Sequence, residues 1–340
     1  MNADRRGREL DEDDVRVRPG RGKSRPRTKD RPGHIGAALG WVVTVDRGRY
    51  GCLVESPTGR AHVVAMKARE LGRKGVVVGD RVGLVGDLSA EVDALARIIR
   101  VEPRTTVLRR TADDDDPVER VVVANADQLA VVTALADPEP RTGLIDRCLV
   151  AAYDAGLKPL LLLTKADLKS ADELLDTYRA LDVDHVTTAR DRDMGELRSR
   201  LAGHRTVFVG HSGVGKSTLV NLLVPGADRS TGAVNAVTGR GRHTSTSAIV
   251  LELPGDGPAA GWVIDTPGIR SFGLAHVDPS RVVGAFSDLG AGAELCPRSC
   301  SHDEPECALD AWVEAGHADP ARLESLRRLL RTRETHDEDQ

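Results

Sequence analysis

Residues 210–217, Gly210-His211-Ser212-Gly213-Val214-Gly215-Lys216-Ser217, fit the pattern G-x-x-x-x-G-K-[ST]. This run constrains the fold more than any other, because its chemistry works only between a strand and a helix. The glycines let backbone N–H groups converge on phosphate oxygens. The helix that follows turns its positive end toward the same anion. The flanking residues comply: Thr206-Val207-Phe208-Val209 reads as a buried strand and Thr218 to Leu223 as a helix. In such a site Lys216 reaches the β/γ-phosphates and Ser217 ligates Mg²⁺. A plain Gly-rich turn is the competing reading, and the strand–loop–helix context argues against it.

Two further elements belong with this loop. Trp262-Val263-Ile264-Asp265-Thr266-Pro267-Gly268 is an apolar strand ending in D-x-x-G. Asp265 is expected to hold Mg²⁺ through water, and Gly268 to offer its N–H to a γ-phosphate. Leu161-Leu162-Leu163 runs into Thr164-Lys165-Ala166-Asp167, the guanine-reading N-K-x-D element with Thr in place of Asn. A carboxylate at Asp167 accepts from N1–H and N2–H₂ of guanine, a donor pair that adenine lacks. Lys165 then covers the base or ribose, and Val186-Thr187-Thr188-Ala189 is a candidate second base-contacting loop. Residues 164–167 and 210–218, through Thr218, together with Asp265 and Gly268, make up the expected nucleotide-binding set.

The order of these elements is unusual. T-K-A-D precedes the phosphate loop, whereas a conventional GTPase runs phosphate loop, switch threonine, D-x-x-G, N-K-x-D. A circular permutation leaves each strand and loop in place. It also sends the chain after D-x-x-G straight into the C-terminal region. Residues 239–246, Gly-Arg-Gly-Arg-His-Thr-Ser-Thr, occupy the place of a mobile switch loop, with Thr244 or Thr246 as its Mg²⁺ ligand. Ile269 follows Gly268 where many GTPases carry the glutamine that orients water. Intrinsic hydrolysis is therefore expected to be slow, with His243 as the candidate for positioning water. Lys216, His243 and Thr244 are the expected catalytic residues.

The remainder of the 340 residues sorts by composition. Residues 1–33 carry 11 Lys/Arg against 7 Asp/Glu with almost nothing apolar, the pattern of a disordered tail with a basic half. From Gly36 to about Arg104 five short β-branched runs, separated by Gly, Pro and Asp, predict a small barrel. Their pattern alone does not separate an oligonucleotide-binding (OB) barrel from an SH3-like one. Arg47, Arg49, Lys67, Arg69, Arg73 and Lys74 are candidates for a basic face. After Asp113-Asp114-Asp115-Asp116 strands and helices alternate, which argues for a largely parallel sheet covered on both faces. Past Val277 the pattern is helical around a cysteine cluster. The net charge of −4 gives the whole chain no pull on a polyanion. No apolar run approaches a membrane span, and no leader-like segment opens the chain.

Cys296, Cys300, His302 and Cys307 form C-x₃-C-x-H-x₄-C. Three thiolates and an imidazole in twelve residues match a closed structural zinc site. Cys52 and Cys148 lie in apolar patterns and are expected to be ordinary buried thiols.

Taken together, these features resemble the RsgA (YjeQ) family of circularly permuted, small-subunit-dependent GTPases. The resemblance covers nearly all of the chain after the tail. It rests on Val77-Val78-Gly79-Asp80-Arg81-Val82, on Pro103-Arg104-Thr105-Thr106-Val107-Leu108-Arg109-Arg110 and on the permuted order. It rests also on residues 210–218, Arg242-His243-Thr244, Asp265-Thr266-Pro267-Gly268-Ile269 and the Cys/His cluster followed by Ala308-Leu309. The family usually shows C-x₄-C-x-H-x₅-C, so each outer gap is one residue shorter here. The resemblance implies a multidomain protein: tail 1–34, OB-fold domain 35–105, permuted P-loop GTPase domain 106–276 and helical zinc-binding domain 277–340. It implies a cytoplasmic, monomeric GTPase that binds GTP/GDP with Mg²⁺ and one structural Zn²⁺. Its partners would be the small ribosomal subunit and its rRNA, late in maturation, with hydrolysis stimulated by the subunit. The alternatives are a GTP switch acting on another RNA or protein, and a P-loop ATPase or kinase. The 3% aromatic content favours phosphate contacts over base stacking for any RNA.

Overall fold

The computed structural model describes residues 36–332, apart from 57–58, 73–74, 92, 112–118, 191, 228–247, 256–259, 267–272, 275 and 299. The basic tail, the loop with His243, Thr244 and Thr246, and the pair Gly268-Ile269 therefore lie outside the described residues. From Ala37 onward the chain forms one compact unit.

Five strands open it: β1 (Ala38–Asp46), β2 (Arg49–Ser56), β3 (Gly59–Lys67), β4 (Arg81–Gly86) and β5 (Ala96–Val101). They pair in the order β1-β2-β3-β5-β4, and β4 returns to β1. The β3–β5 pair is parallel and the others antiparallel. This closure is the Greek-key connectivity of an OB barrel, which strand spacing alone left open. Inward positions fall two apart, as the pleat requires: Cys52 with Val54, Val63 with Ala65, Val82 with Leu84, Ala96 with Ile98. Arg47, Arg49 and Arg69 of the expected basic face are exposed and Lys67 is partly so; Arg73 and Lys74 lie outside the described residues.

A short hairpin, β6 (Val107–Arg110) with β7 (Arg120–Ala124), follows the barrel and flanks the aspartate run. The sequence pattern showed only a polar loop there. Its strands are four and five residues long, too short to show a period of two.

The α/β part contains β8 (Gln128–Ala134), α1 (Thr142–Asp154), β9 (Lys158–Thr164), α2 (Asp172–Tyr178), β10 (Asp184–Thr187), α3 (Gly195–Leu201), β11 (Arg205–Val209), α4 (Lys216–Leu223), β12 (Ile249–Glu252) and β13 (Trp262–Asp265). The sheet order is β10-β9-β8-β11-β13-β12, parallel except for β12. Successive residues face opposite cores. Leu129, Val131, Leu161, Leu163, Val207 and Val209 pack on α1 and the C-terminal helices. Ala130, Val132, Leu160, Leu162 and Phe208 pack on Leu197 and Leu201 of α3 and on Leu219, Val220 and Leu223 of α4. Helices α5 (Pro279–Gly284), α6 (Ser287–Ala293), α7 (Ala308–Glu314) and α8 (Pro320–Thr332) complete the chain on the α1 face. Cys52 and Cys148 are buried, and burial pushes both thiols up to about 12, so neither is a nucleophile at neutral pH.

A buried staple braces the barrel and ties it, through Asn125, to the chain after β7. Fully buried Asp80 accepts from Arg104 Nε at 2.7 Å and Nη2 at 2.9 Å, and from the Val77 amide at 2.8 Å. Asn125, just after β7, donates to the Gly79 carbonyl at 2.8 Å and accepts from the Thr105 amide at 2.8 Å. The Val77–Asp80 and Arg104–Thr106 stretches of the family resemblance are thus two halves of one structural staple.

Candidate nucleotide site and Cys₃His cluster

The chain lays down β8, steps outward to β9 and β10, then returns to the other side of β8 with β11. The crevice between the carboxyl ends of β8 and β11 is therefore the topological switch point, where open α/β sheets bind ligands. The phosphate loop leaves β11 at this crevice. Gly213 and Gly215 have φ of 85° and 90°, which L side chains rarely adopt. At Gly210 an added Cβ would sit 2.4 Å from the Val132 carbonyl oxygen. The loop is drawn against β8 by that absence of side chain. Helix α4 starts at Lys216 with Gly215 as its N-cap and no side chain capping it. Its first N–H groups are thus free for an anion.

Lys216 Nζ donates to Asp265 Oδ1 at 2.9 Å and to the Thr266 carbonyl at 3.1 Å. The phosphate-loop lysine and the D-x-x-G aspartate therefore share one spot, with both side chains largely shielded from water. Thr266 Oγ1 donates to the Phe208 carbonyl at 2.8 Å and locks the end of β13 beside the phosphate-loop strand. Ser217 and Thr218 are exposed on the first turn of α4, as are Ser212 and Gly213 in the loop. Val214 is fully buried. His211 Nδ1 lies 2.8 Å from the Ser212 carbonyl, and burial lowers the imidazole pKa, so Nδ1–H donates from a neutral ring.

The T-K-A-D loop meets the same crevice from β9. Thr164 Oγ1 lies 2.6 Å from the Val214 carbonyl and 3.3 Å from that of Thr133. A hydroxyl has one proton, and the shorter contact takes it. The threonine that replaces asparagine is therefore bonded directly to the phosphate loop. Lys165 adopts φ of 58°, which turns the chain and leaves the Asp167 carboxylate exposed, with no bonded partner among the described residues. The Ala166 amide donates to the Thr188 carbonyl at 3.1 Å, and the Thr188 amide to the Leu163 carbonyl at 2.7 Å. The 186–189 segment is thus seated beside Ala166 and Asp167.

Sequence reasoning missed one wall. Lys165 Nζ donates to the Asp137 carbonyl, and Pro138 Cδ is 3.6 Å from where a Cβ on Gly213 would lie. The 135–140 loop after β8 thus borders both the phosphate loop and the T-K-A-D turn. The signal was Asp137-Pro138 at the carboxyl end of a fully buried strand.

In the C-terminal region Cys296, Cys300, His302 and Cys307 place their ligand atoms within 4.8 Å of one another. Cys296 Sγ is 3.7 Å from Cys307 Sγ, which is 3.8 Å from His302 Nδ1. A tetrahedron with Zn–S bonds of about 2.3 Å has an S···S edge of about 3.8 Å. The shorter outer gaps thus still bring all four donor atoms together, two of the separations matching that edge. Burial holds the His302 imidazole below its ordinary pKa, which leaves it neutral, the ligating form. Burial also pushes the Cys300 and Cys307 thiols up. Arg327 Nε donates to the His302 carbonyl at 2.8 Å, while its Nη1 and Nη2 fork onto Asp310 at 2.8 and 2.9 Å.

Comparison with known proteins agrees with this geometry. The sequence model of the family described as RsgA GTPase matches residues 101–275. The small ribosomal subunit biogenesis GTPase RsgA of Pseudomonas aeruginosa (strain LESB58) is 46% identical over 219 residues, 62% of this chain and 63% of that protein. The match thus spans a little under two thirds of that relative's length. The protein of the same description from Pseudomonas syringae pv. syringae is 42% identical over 265 residues, 75% of this chain and 74% of that one. Among solved structures, YjeQ from Thermotoga maritima superposes with a TM-score of 0.61 at 26% identity, covering 88% of this chain and 99% of that chain. YloQ, described as a circularly permuted GTPase, shares the fold with a TM-score of 0.62 at 22% identity, over 89% and 97% of the two chains. A shared pattern across the whole α/β part, at this identity and in this permuted order, places the chain in the RsgA GTPase family.

Proposed function

We propose that this protein binds and hydrolyses GTP and acts in late maturation of the small ribosomal subunit, which stimulates its hydrolysis. The observation that carries the guanine site is the 2.6 Å bond from Thr164 Oγ1 to the Val214 carbonyl. It joins the base-reading turn to the phosphate loop across the permutation. The base then lies over Asp167, whose open carboxylate accepts from the guanine N1–H and N2–H₂ edge. The phosphates lie on the amides of residues 210–218, with Lys216 released from Asp265 to meet them. The hard oxygen donors Ser217 and Asp265 suit Mg²⁺, which keeps most of its waters and, when bound, neutralises charge on the phosphate oxygens. Thr244 is assigned to the same ion, His243 to the attacking water and Gly268 to the γ-phosphate. The Cys₃His cluster holds one structural Zn²⁺. The RsgA relatives' description supplies the subunit partner, and its rRNA is the charge to which exposed Arg47, Arg49 and Arg69 are complementary. Segments 1–34, 35–105, 106–276 and 277–340 act as tail, OB, GTPase and zinc units of a cytoplasmic monomer. Among the described residues no helix is long and apolar enough to cross a membrane.

GTP turnover measured with and without purified small subunits tests the proposal. Slow turnover alone, acceleration by small but not large subunits, and loss of both with Lys216→Ala are expected. Guanine nucleotides should outcompete adenine nucleotides, and Asp167→Asn should shift preference to xanthine nucleotides. Equal binding of ATP and GTP would remove the guanine site. Equal stimulation by large subunits or free RNA would remove the small-subunit role.

A further inference from the structure

Strand β12 lies at the edge of the α/β sheet, next to the strand that carries Asp265. An edge strand offers a row of unpaired N–H and C=O groups to any other strand. Here that edge is met at Ile249. The barrel strand β1 pairs antiparallel with β12, Thr44 opposite Ile249, and merges the barrel with the α/β sheet into one eleven-stranded sheet. Two side-chain contacts reinforce the pairing. Arg60 of β3 donates to Glu252 of β12 at 2.7 Å. Trp41 of β1 meets Trp262 of β13 edge-on at 5.4 Å, and the Arg205 guanidinium lies 5.2 Å over the Trp41 ring.

The pairing is placed where it can sense the site. Asp265 is the register partner of Ile249, and Ile249 of Thr44. Thr44 in turn pairs with Gly51 of β2, beside a shift of register in β1 between Val42 and Thr44. A single transverse row of backbone partners thus runs from the residue bonded to Lys216 into the barrel wall. The staple of Asp80, Arg104 and Asn125 grips the same strand two residues away, since the Gly79 amide donates to the Val42 carbonyl at 2.8 Å and the Val42 amide to the Asp80 carbonyl at 2.9 Å.

We propose that the barrel acts as a built-in effector of the nucleotide site, docked on β12 by strand addition, so that nucleotide state alters β1 and barrel ligands alter nucleotide affinity. The second effect follows from the first, because coupling between two binding equilibria is reciprocal. This rests on Asp265 belonging to the nucleotide site, as proposed above. It identifies the barrel as the route by which a bound polyanion reaches the phosphates.

Hydrogen exchange on the full-length protein, with GDP–Mg²⁺ and with a non-hydrolysable GTP analogue–Mg²⁺, provides the test. Amides in 41–46 and 249–252 are expected to exchange at rates differing by about 5-fold or more between the two states, the lower end of ordinary coupling. Arg60→Glu should shrink that difference, and Arg60→Glu with Glu252→Arg should restore it, while GDP affinity stays unchanged in both. If residues 210–218 and 262–266 respond to nucleotide while 41–46 exchange identically in both states, the coupling is overturned and the GTPase function stands. If neither segment responds and no guanine nucleotide binds, the function itself has failed and the coupling with it.

Discussion

Thr164 shows how much one hydroxyl decides. Asparagine at this position reaches across with an amide, and threonine is shorter. Here the loops lie close: a Cβ on Gly215 would be 3.7 Å from Thr164 Oγ1. The hydroxyl proton then satisfies the Val214 carbonyl in a site where Thr164 is only 5% exposed. Valine keeps the shape and removes the donor. An acceptor left without its donor in such a place costs about 1–3 kcal/mol. Since about 1.4 kcal/mol is a factor of ten in affinity, Thr164→Val is expected to weaken GDP binding about tenfold. Thr164→Ser, which keeps the hydroxyl, should bind close to the parent. Titration of a fluorescent GDP analogue reads both, and a valine variant of parental affinity would show that the tie does not organise the site. The sequence marked the position but hid its role, because spacing within one strand says nothing about a carbonyl fifty residues away. Asp167, Lys216 and Asp265 could be singled out for the opposite reason: each belongs to a short motif of fixed offsets, Lys216 next to Gly215, Asp265 three residues before Gly268 and Asp167 two after Lys165.

Among the elements, α8 is the one through which the Cys₃His cluster and the α/β part meet. Leu323, Leu326, Leu329 and Leu330 make a buried stripe at helical spacing, legible from sequence alone. The other faces carry arginines whose partners were not. Arg327 grips Asp310 and the His302 carbonyl, Arg331 forks onto Asp303 at 2.8 and 2.9 Å, and Arg328 meets buried Asp146 of α1 at 3.2 Å. Stripping the metal with a chelator should therefore release the 296–332 region to proteolysis, since structural zinc supplies folding energy directly. GDP binding should persist, because no phosphate-loop residue touches the cluster among the described contacts. Retained protection of α8 in the chelated protein would show that the cluster folds unaided. The protein should also be sensitive to acid through His276, which lies outside the cluster. Burial lowers its pKa, so the unfolded chain binds a proton that the folded one refuses. That stability is present above the unfolded value of about 6.5 and is lost as pH falls below it. The melting temperature should decline as pH is lowered from about 7 to about 5.5; a flat profile would contradict the burial of this neutral ring. The β6–β7 hairpin stayed hidden in the sequence because the aspartate run between its strands dominates the local composition.

On the scale of the whole molecule, permutation changes which parts are joined by chain and which by contact. Motif order announced the permutation, and strand patterns announced a barrel and a parallel sheet. How the barrel sits on the sheet could not be read, since position along the chain does not say that the Val77–Val82 and Pro103–Arg110 stretches meet each other, or which strand edge β1 joins. The first of these meetings hangs on the fork of Arg104, within the barrel, on Asp80, whose carboxylate is completely buried; the neighbours Gly79 and Thr105 bond Asn125. Arg104→Ala leaves that carboxylate with the Val77 amide as its remaining bonded donor among the described contacts. Breaking a buried pair from one side costs about 3–5 kcal/mol, a large part of a domain's stability. The variant is expected to unfold at markedly lower urea concentration, with the barrel losing protection first. Arg104→Lys should recover little, because an ammonium cannot make the two parallel bonds of the guanidinium. Adding Asp80→Asn to Arg104→Ala should recover part of the loss, since a neutral amide left without its partner is less costly to bury than a charge. The sign of that second step separates an electrostatic joint from simple packing: if the double variant is less stable than Arg104→Ala alone, the side chains act as filler and the barrel is held by β1–β12 and the hydrophobic contacts around Trp41.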